Sequence, residues 1–138
     1  MSFKFTEINS FRSLGIVEVT ASKENPHFKY PNDFYEAIKK TTQERLNRLE
    51  IPVKVHYSNR REKDVVVGFV EDFTSSGVFR LHLLNMTSSK RVVEALKEHK
   101  TKLYMLGTGS FIEDSVVIDS ASYRLEEVYF TLDSKDKK

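Results

Sequence analysis

The feature that most constrains this chain is one long amphipathic segment and the change of period that follows it. Residues 33–50 place Tyr35, Ile38, Thr42, Leu46 and Leu49 on one stripe of a 3.6-residue repeat, with Lys39, Lys40, Gln43, Asn47 and Arg48 opposite. Such a helix must lay its apolar stripe on another element. The chain then runs directly into Ile51–Tyr57, where Val53, Val55 and Tyr57 face one way and Lys54 and His56 the other, the period-two pattern of a half-buried strand. Asp33 followed by Glu36 predicts a capping box at the helix start, Glu36–Lys40 and Glu44–Arg48 predict i,i+4 support, and Pro52 marks the end.

The flanking segments extend this pattern. Phe3 and Phe5 alternate, whereas Ile8 and Phe11 are three apart, so residues 1–13 read as an N-terminal arm, either a short strand or a segment that docks elsewhere. Leu14–Thr20 is β-rich, and a loop over 22–31 is marked by Asn25-Pro26 and Tyr30-Pro31. Val65–Val70 is apolar on both faces, as a covered central strand would be, and Gly68 within it implies a bulge or a close approach of another backbone. After the turn Thr74–Gly77, Phe79, Leu81 and Leu83 alternate with Arg80 and His82. Ser88 or Ser89 is expected to cap a helix over 89–100 built on Val92, Val93 and Leu96. Strands are expected at 103–106, 116–118 and 123–132, the last changing phase at Glu126-Glu127 through a β-bulge, with a polar tail over 133–138. The sum is an α+β fold, a single domain over 1–138 with a mixed, mainly antiparallel sheet packed by two helices.

Composition narrows the chemistry. At 138 residues, with ten Phe and six Tyr, the chain can bury one core without staples. It has no cysteine, which excludes disulfides, thiolate zinc sites and cysteine nucleophiles. Neither a basic, then apolar, N-terminal leader nor a run of roughly 18 apolar residues occurs, so the expectation is a cytoplasmic protein with no membrane partner. A formal charge of +2 neither demands nor forbids nucleic acid.

No motif specifies a reaction. Gly107-Thr108-Gly109 begins like a dinucleotide-binding loop, but Ile112 stands where the third glycine is needed and Glu113 and Asp114 would repel phosphate, so it reads as a turn. Gly68–Phe73 resembles the RNP1 strand of RNA-recognition domains, yet it lacks the leading basic residue and the second glycine and carries Glu71 and Asp72 where RNA would lie. His56 and His82 lack a third ligand at metal-site spacing, and no G-x-S-x-G elbow occurs. The expectation is a non-enzymatic protein without cofactor or metal. If their strands are close neighbours, Lys54, His56, Arg80 and His82 would form a basic sheet face, extended along the edge by Arg60, Arg61 and Lys63, which is the case for a nucleic-acid partner.

In the order of its elements, helix 33–50, strands 51–58, 65–73 and 78–84, helix 89–100 and a final extended hairpin, the chain resembles the tail-terminator and tail-completion proteins of tailed bacteriophages. The resemblance spans about residues 32–132 and carries no diagnostic motif. It implies a structural subunit of the virion, assembled in the host cytoplasm, that forms a ring through self-association and meets other structural proteins. Phe3, Phe5 and Phe11 would reach a neighbour and the loop bearing Arg60, Arg61 and Lys63 a second partner. The alternatives are a ferredoxin-like nucleic-acid-binding or regulatory protein using Lys54, His56, Arg80 and His82, and a small monomeric inhibitor of a host protein.

Overall fold

The structure, a computed structural model, describes residues 3–25, 27–59 and 61–133. Its strands are β1 (Phe3–Glu7), β2 (Ser13–Thr20), β3 (Pro52–Tyr57), β4 (Val65–Phe73), β5 (Val78–Leu84), β6 (Leu103–Thr108) and β7 (Arg124–Leu132), with helices α1 (Phe34–Leu46) and α2 (Thr87–Lys97). The strands form one sheet in the order β1-β2-β5-β4-β3-β7-β6, antiparallel throughout except for the parallel β3/β7 pair. The α+β class and the mainly antiparallel sheet are as the sequence implies.

The sheet is not flat. The Ser22 amide, just past the end of β2, donates to the Leu103 carbonyl at the start of β6 at 2.8 Å. Those strands are second and seventh in the sheet, so in a flat sheet they would stand roughly 24 Å apart at about 4.8 Å per strand. The sheet therefore curls until its two sides touch. Val17, Val19, Val53, Val55, Val67, Phe73, Phe79, Leu81, Leu83, Leu125, Val128 and Phe130 share one core on the inner side, and Phe34 and Ile38 of α1 and Val92, Val93 and Leu96 of α2 complete it.

Irregularities in the strands set which side chains face out. Val67 is the extra residue of a bulge between β3 and β4, and the register shifts again between Val70 and Asp72. Gly68 sits between these shifts, where a Cβ would lie 1.9 Å from the His82 carbonyl oxygen, so both a bulge and a close backbone approach are present. Glu126 is the extra residue of the bulge expected in β7.

Local details depart from the sequence reading. Asp33 makes no side-chain cap; its carbonyl takes the Ala37 amide, and α1 ends at Leu46, leaving Leu49 57% exposed. Neither Glu36–Lys40 nor Glu44–Arg48 forms an ion pair among the described residues. Ser88 and Ser89 are not caps but buried first-turn residues. Ser88 Oγ meets Tyr57 Oη at 2.6 Å and Ser89 Oγ donates to the Val67 carbonyl, because the start of α2 is pressed onto the sheet. Residues 116–118 hold only isolated bridges, Lys29 to Val117 and Phe111 to Ile118. Of the two expectations for the N-terminal segment, residues 3–7 meet the first and form a short sheet strand, with the Phe5 ring lying over Gly15, where a Cβ would come within 2.7 Å of it.

Candidate functional site

On the outer side of the sheet, β3 and β5 flank β4, and this brings Lys54, His56, Arg80 and His82 onto one face. The face is not a field of free cations. Glu127 Oε1 holds Lys54 Nζ at 3.1 Å while its Oε2 lies 3.3 Å from His56 Nε2, which also stands 3.4 Å from Asp64 Oδ2. Glu71 likewise takes Arg80 Nε at 3.1 Å and His82 Nδ1 at 3.2 Å. Each basic residue thus has a carboxylate in contact, so phosphate binding there would have to displace an existing partner.

Aromatic rings share this face. His56 stacks on Tyr129 with centroids 4.0 Å apart, Tyr104 stacks on Tyr129 at 5.4 Å, and His82 stacks on Phe69 at 5.0 Å. Phe69 therefore does project outward from the central strand, as the RNP1-like reading requires, but its ring is already engaged. The pKa of the Tyr129 hydroxyl is raised, first by burial and then by electrostatic interaction with Tyr104 and with the Glu127 carboxylate. No group of three or more His, Asp or Glu with metal-site geometry occurs among the described residues.

Two apolar clusters lie elsewhere. The loop joining β1 to β2 carries Ile8, 48% exposed, and Phe11, 92% exposed. Its backbone is tethered, with Ile8 and Asn9 amides on the Leu14 carbonyl, the Ser10 amide on Ser13, and Asn85 bonded to Ser10 and Arg12. Fixed backbone holds the Phe11 ring in water, which a folded chain has no intrinsic reason to do with so large a side chain. Phe3 and Phe5, by contrast, are partly buried against the core.

The second cluster, at residues 110–119, escaped sequence reasoning, which treated the segment as a turn and a strand. Ile112 N–H donates to the Val117 carbonyl, and the Ser115 amide and hydroxyl both donate to the Ile112 carbonyl, closing a small hairpin with Asp114 at φ +56°. Phe111, Ile112 and Val116 are each about half exposed, at 52%, 49% and 52%. Lys29 ties this hairpin down through its amide to Val116 and its carbonyl to Ile118. The available signal was the adjacent Phe111-Ile112 pair inside a segment otherwise rich in Gly, Ser and acidic residues.

Arg61 and Lys63 are both exposed in the β3–β4 turn, whereas Arg60 lies outside the described residues, as do the tail residues 134–138. A groove of about 620 Å³ runs between α2 and the ends of β3 and β7, where Arg91 packs over the Tyr57 ring and donates to the Asp133 carbonyl. No helix is long and apolar enough to cross a membrane among the described residues. Comparison with protein-family models, curated proteins and solved structures gives no match, and the class of protein is therefore argued from this geometry.

Proposed function

We propose that this chain is a non-enzymatic assembly module that works by binding other protein subunits, copies of itself included. One observation carries the reading: large apolar side chains are about half exposed or more on hydrogen-bonded loops, Ile8 and Phe11 in one and Phe111, Ile112 and Val116 in the other, outside a separate buried core. Tethering removes the ordering entropy that a flexible loop would lose on docking. The likeness in element order to phage tail-terminator and tail-completion proteins gives the assembly a concrete form, a ring of identical subunits in a virion.

The stacked rings on the outer face favour a second reading, in which bases of a single strand extend the Tyr104/Tyr129/His56 stack. The paired charges there argue against it. Light-scattering mass across a concentration range, with and without a short single-stranded oligonucleotide, tests both. A concentration-dependent oligomer indifferent to the oligonucleotide supports assembly. A monomer that binds the oligonucleotide and releases it as salt rises overturns it.

A further inference from the structure

β1 runs parallel to β7, because each of the five pairings β1/β2, β2/β5, β5/β4, β4/β3 and β3/β7 is antiparallel except the last. The loop after β1 and the hairpin before β7 are therefore at opposite strand ends. One apolar cluster crowns each end.

Their charges also match. Glu7 and Arg12 flank Ile8 and Phe11, while Lys29, Glu113 and Asp114 flank Phe111, Ile112 and Val116, and all five charged residues are exposed. None of the five has an ion-pair partner among the described residues. Arg12 against the Glu113-Asp114 tip and Lys29 against Glu7 would satisfy both signs at once. Two copies of the β1–β2 loop brought together would instead stack Phe11 on Phe11 and leave the acidic hairpin tip unanswered.

Resting on the assembly reading above, we propose that the two clusters are the two halves of one heterologous contact: the Ile8/Phe11 loop of one copy docks on the Phe111/Ile112/Val116 hairpin of the next. Since donor and acceptor surfaces are different and lie at opposite ends, each subunit has one of each to offer. Such a contact propagates head to tail and gives a closed ring or an open filament according to its angle.

The chain contains no cysteine, so disulfide trapping is clean. Ser10→Cys and Ser115→Cys variants, exposed positions beside the apolar side chains that leave those side chains in place, are mixed in equal amounts in a glutathione redox buffer, one of the two isotope-labelled, and the dimers resolved by mass. The expected product is the Ser10→Cys/Ser115→Cys heterodimer, well above the half of all dimers that random collision gives. A statistical yield, or an excess of either homodimer, overturns the proposal even if the native protein associates. A native protein that remains monomeric by light scattering at all concentrations removes the assembly reading itself. As a second measurement, Arg12→Glu should weaken association of the native chain several-fold, and adding Glu113→Arg should restore it; unchanged association in Arg12→Glu removes the charge pairing on which the register rests.

Discussion

Replacing Gly68 by alanine tests the central feature of the sheet. The new Cβ would stand 1.9 Å from the His82 carbonyl oxygen, 3.0 Å from that carbonyl carbon and 3.1 Å from the Leu83 Cα, all backbone atoms of β5 that no rotamer change can move. Relief to an ordinary contact near 3.5 Å needs the strands to part by roughly 1.5 Å, which carries a neighbouring N–H···O bond from about 2.9 Å to beyond hydrogen-bonding range. Each ladder bond lost there costs about 1 kcal/mol net, and more where a buried group is left unpaired, in addition to about 1–3 kcal/mol of overpacking. The opposing gain from a less flexible unfolded chain is only about 0.4–1 kcal/mol. The expected net loss is about 3–4 kcal/mol, a large part of the roughly 5–15 kcal/mol that holds a domain together. Urea unfolding at 25 °C should show it as a fall in midpoint, and heating as a fall in Tm of roughly 10 °C. Val66→Ala, at an outward position on the same strand, should lose less than about 1 kcal/mol. A Gly68→Ala protein as stable as the native one would refute the close approach of β4 and β5.

Alkaline titration followed at the tyrosinate absorbance should show late ionisation of Tyr30 and Tyr35, each pushed up to about 12 chiefly by burial, and of Tyr123, raised further by the same cause. These groups prefer to stay protonated when folded, so their contribution to stability is intact below pH 10 and is lost as pH rises from there through about 12; tyrosines that all titrate near 10 while circular dichroism stays native would contradict the burial. Ser89→Ala, by leaving the Val67 carbonyl unpaired beneath α2, should cost about 1–2 kcal/mol in urea unfolding, whereas a neutral result would mean that water or a neighbour replaces the hydroxyl. Phe11→Ser should leave Tm within about 2 °C of native, since a ring 92% exposed supports nothing within its own chain. The double variant Glu71→Gln/Glu127→Gln should gain salt-sensitive oligonucleotide retention on the outer face, read by fluorescence anisotropy; no gain would mean that the carboxylates are not what keeps phosphate away.

The helices and most strands were legible because their periods are unambiguous: Val53, Val55 and Tyr57 against Lys54 and His56 could fit only a two-sided strand, and Glu126-Glu127 declared its bulge by a change of parity. What was not legible depended on contacts far apart in sequence. Ser88 and Ser89 look like caps until Tyr57 and Val67 are brought beneath them. The basic quartet looks like a phosphate-binding face until strand pairing and register place Glu71 and Glu127 among its members. The hairpin at 110–119 was missed because period-based reading has no purchase on a turn whose apolar residues face solvent; exposure is a property of the folded surface alone.

That exposure sets the scale on which assembly would work. Five side chains, mostly half exposed, would contribute on the order of 5–8 kcal/mol if fully buried in one contact. Bringing two molecules together costs about 4–15 kcal/mol in lost translational and rotational freedom, so a single head-to-tail contact is close to break-even and free dimers should be sparse at micromolar protein. Closure changes this balance. The last contact of a ring forms between ends already tethered to one another, at an effective concentration in the millimolar range, and adds its apolar burial without a second loss of freedom. A ring-forming chain should therefore pass from monomer to one discrete size with little between. A chain whose contact angle does not close should give a continuous ladder of masses that lengthens with concentration. Sedimentation velocity separates these outcomes directly, and it does so on the native sequence, before any residue is changed.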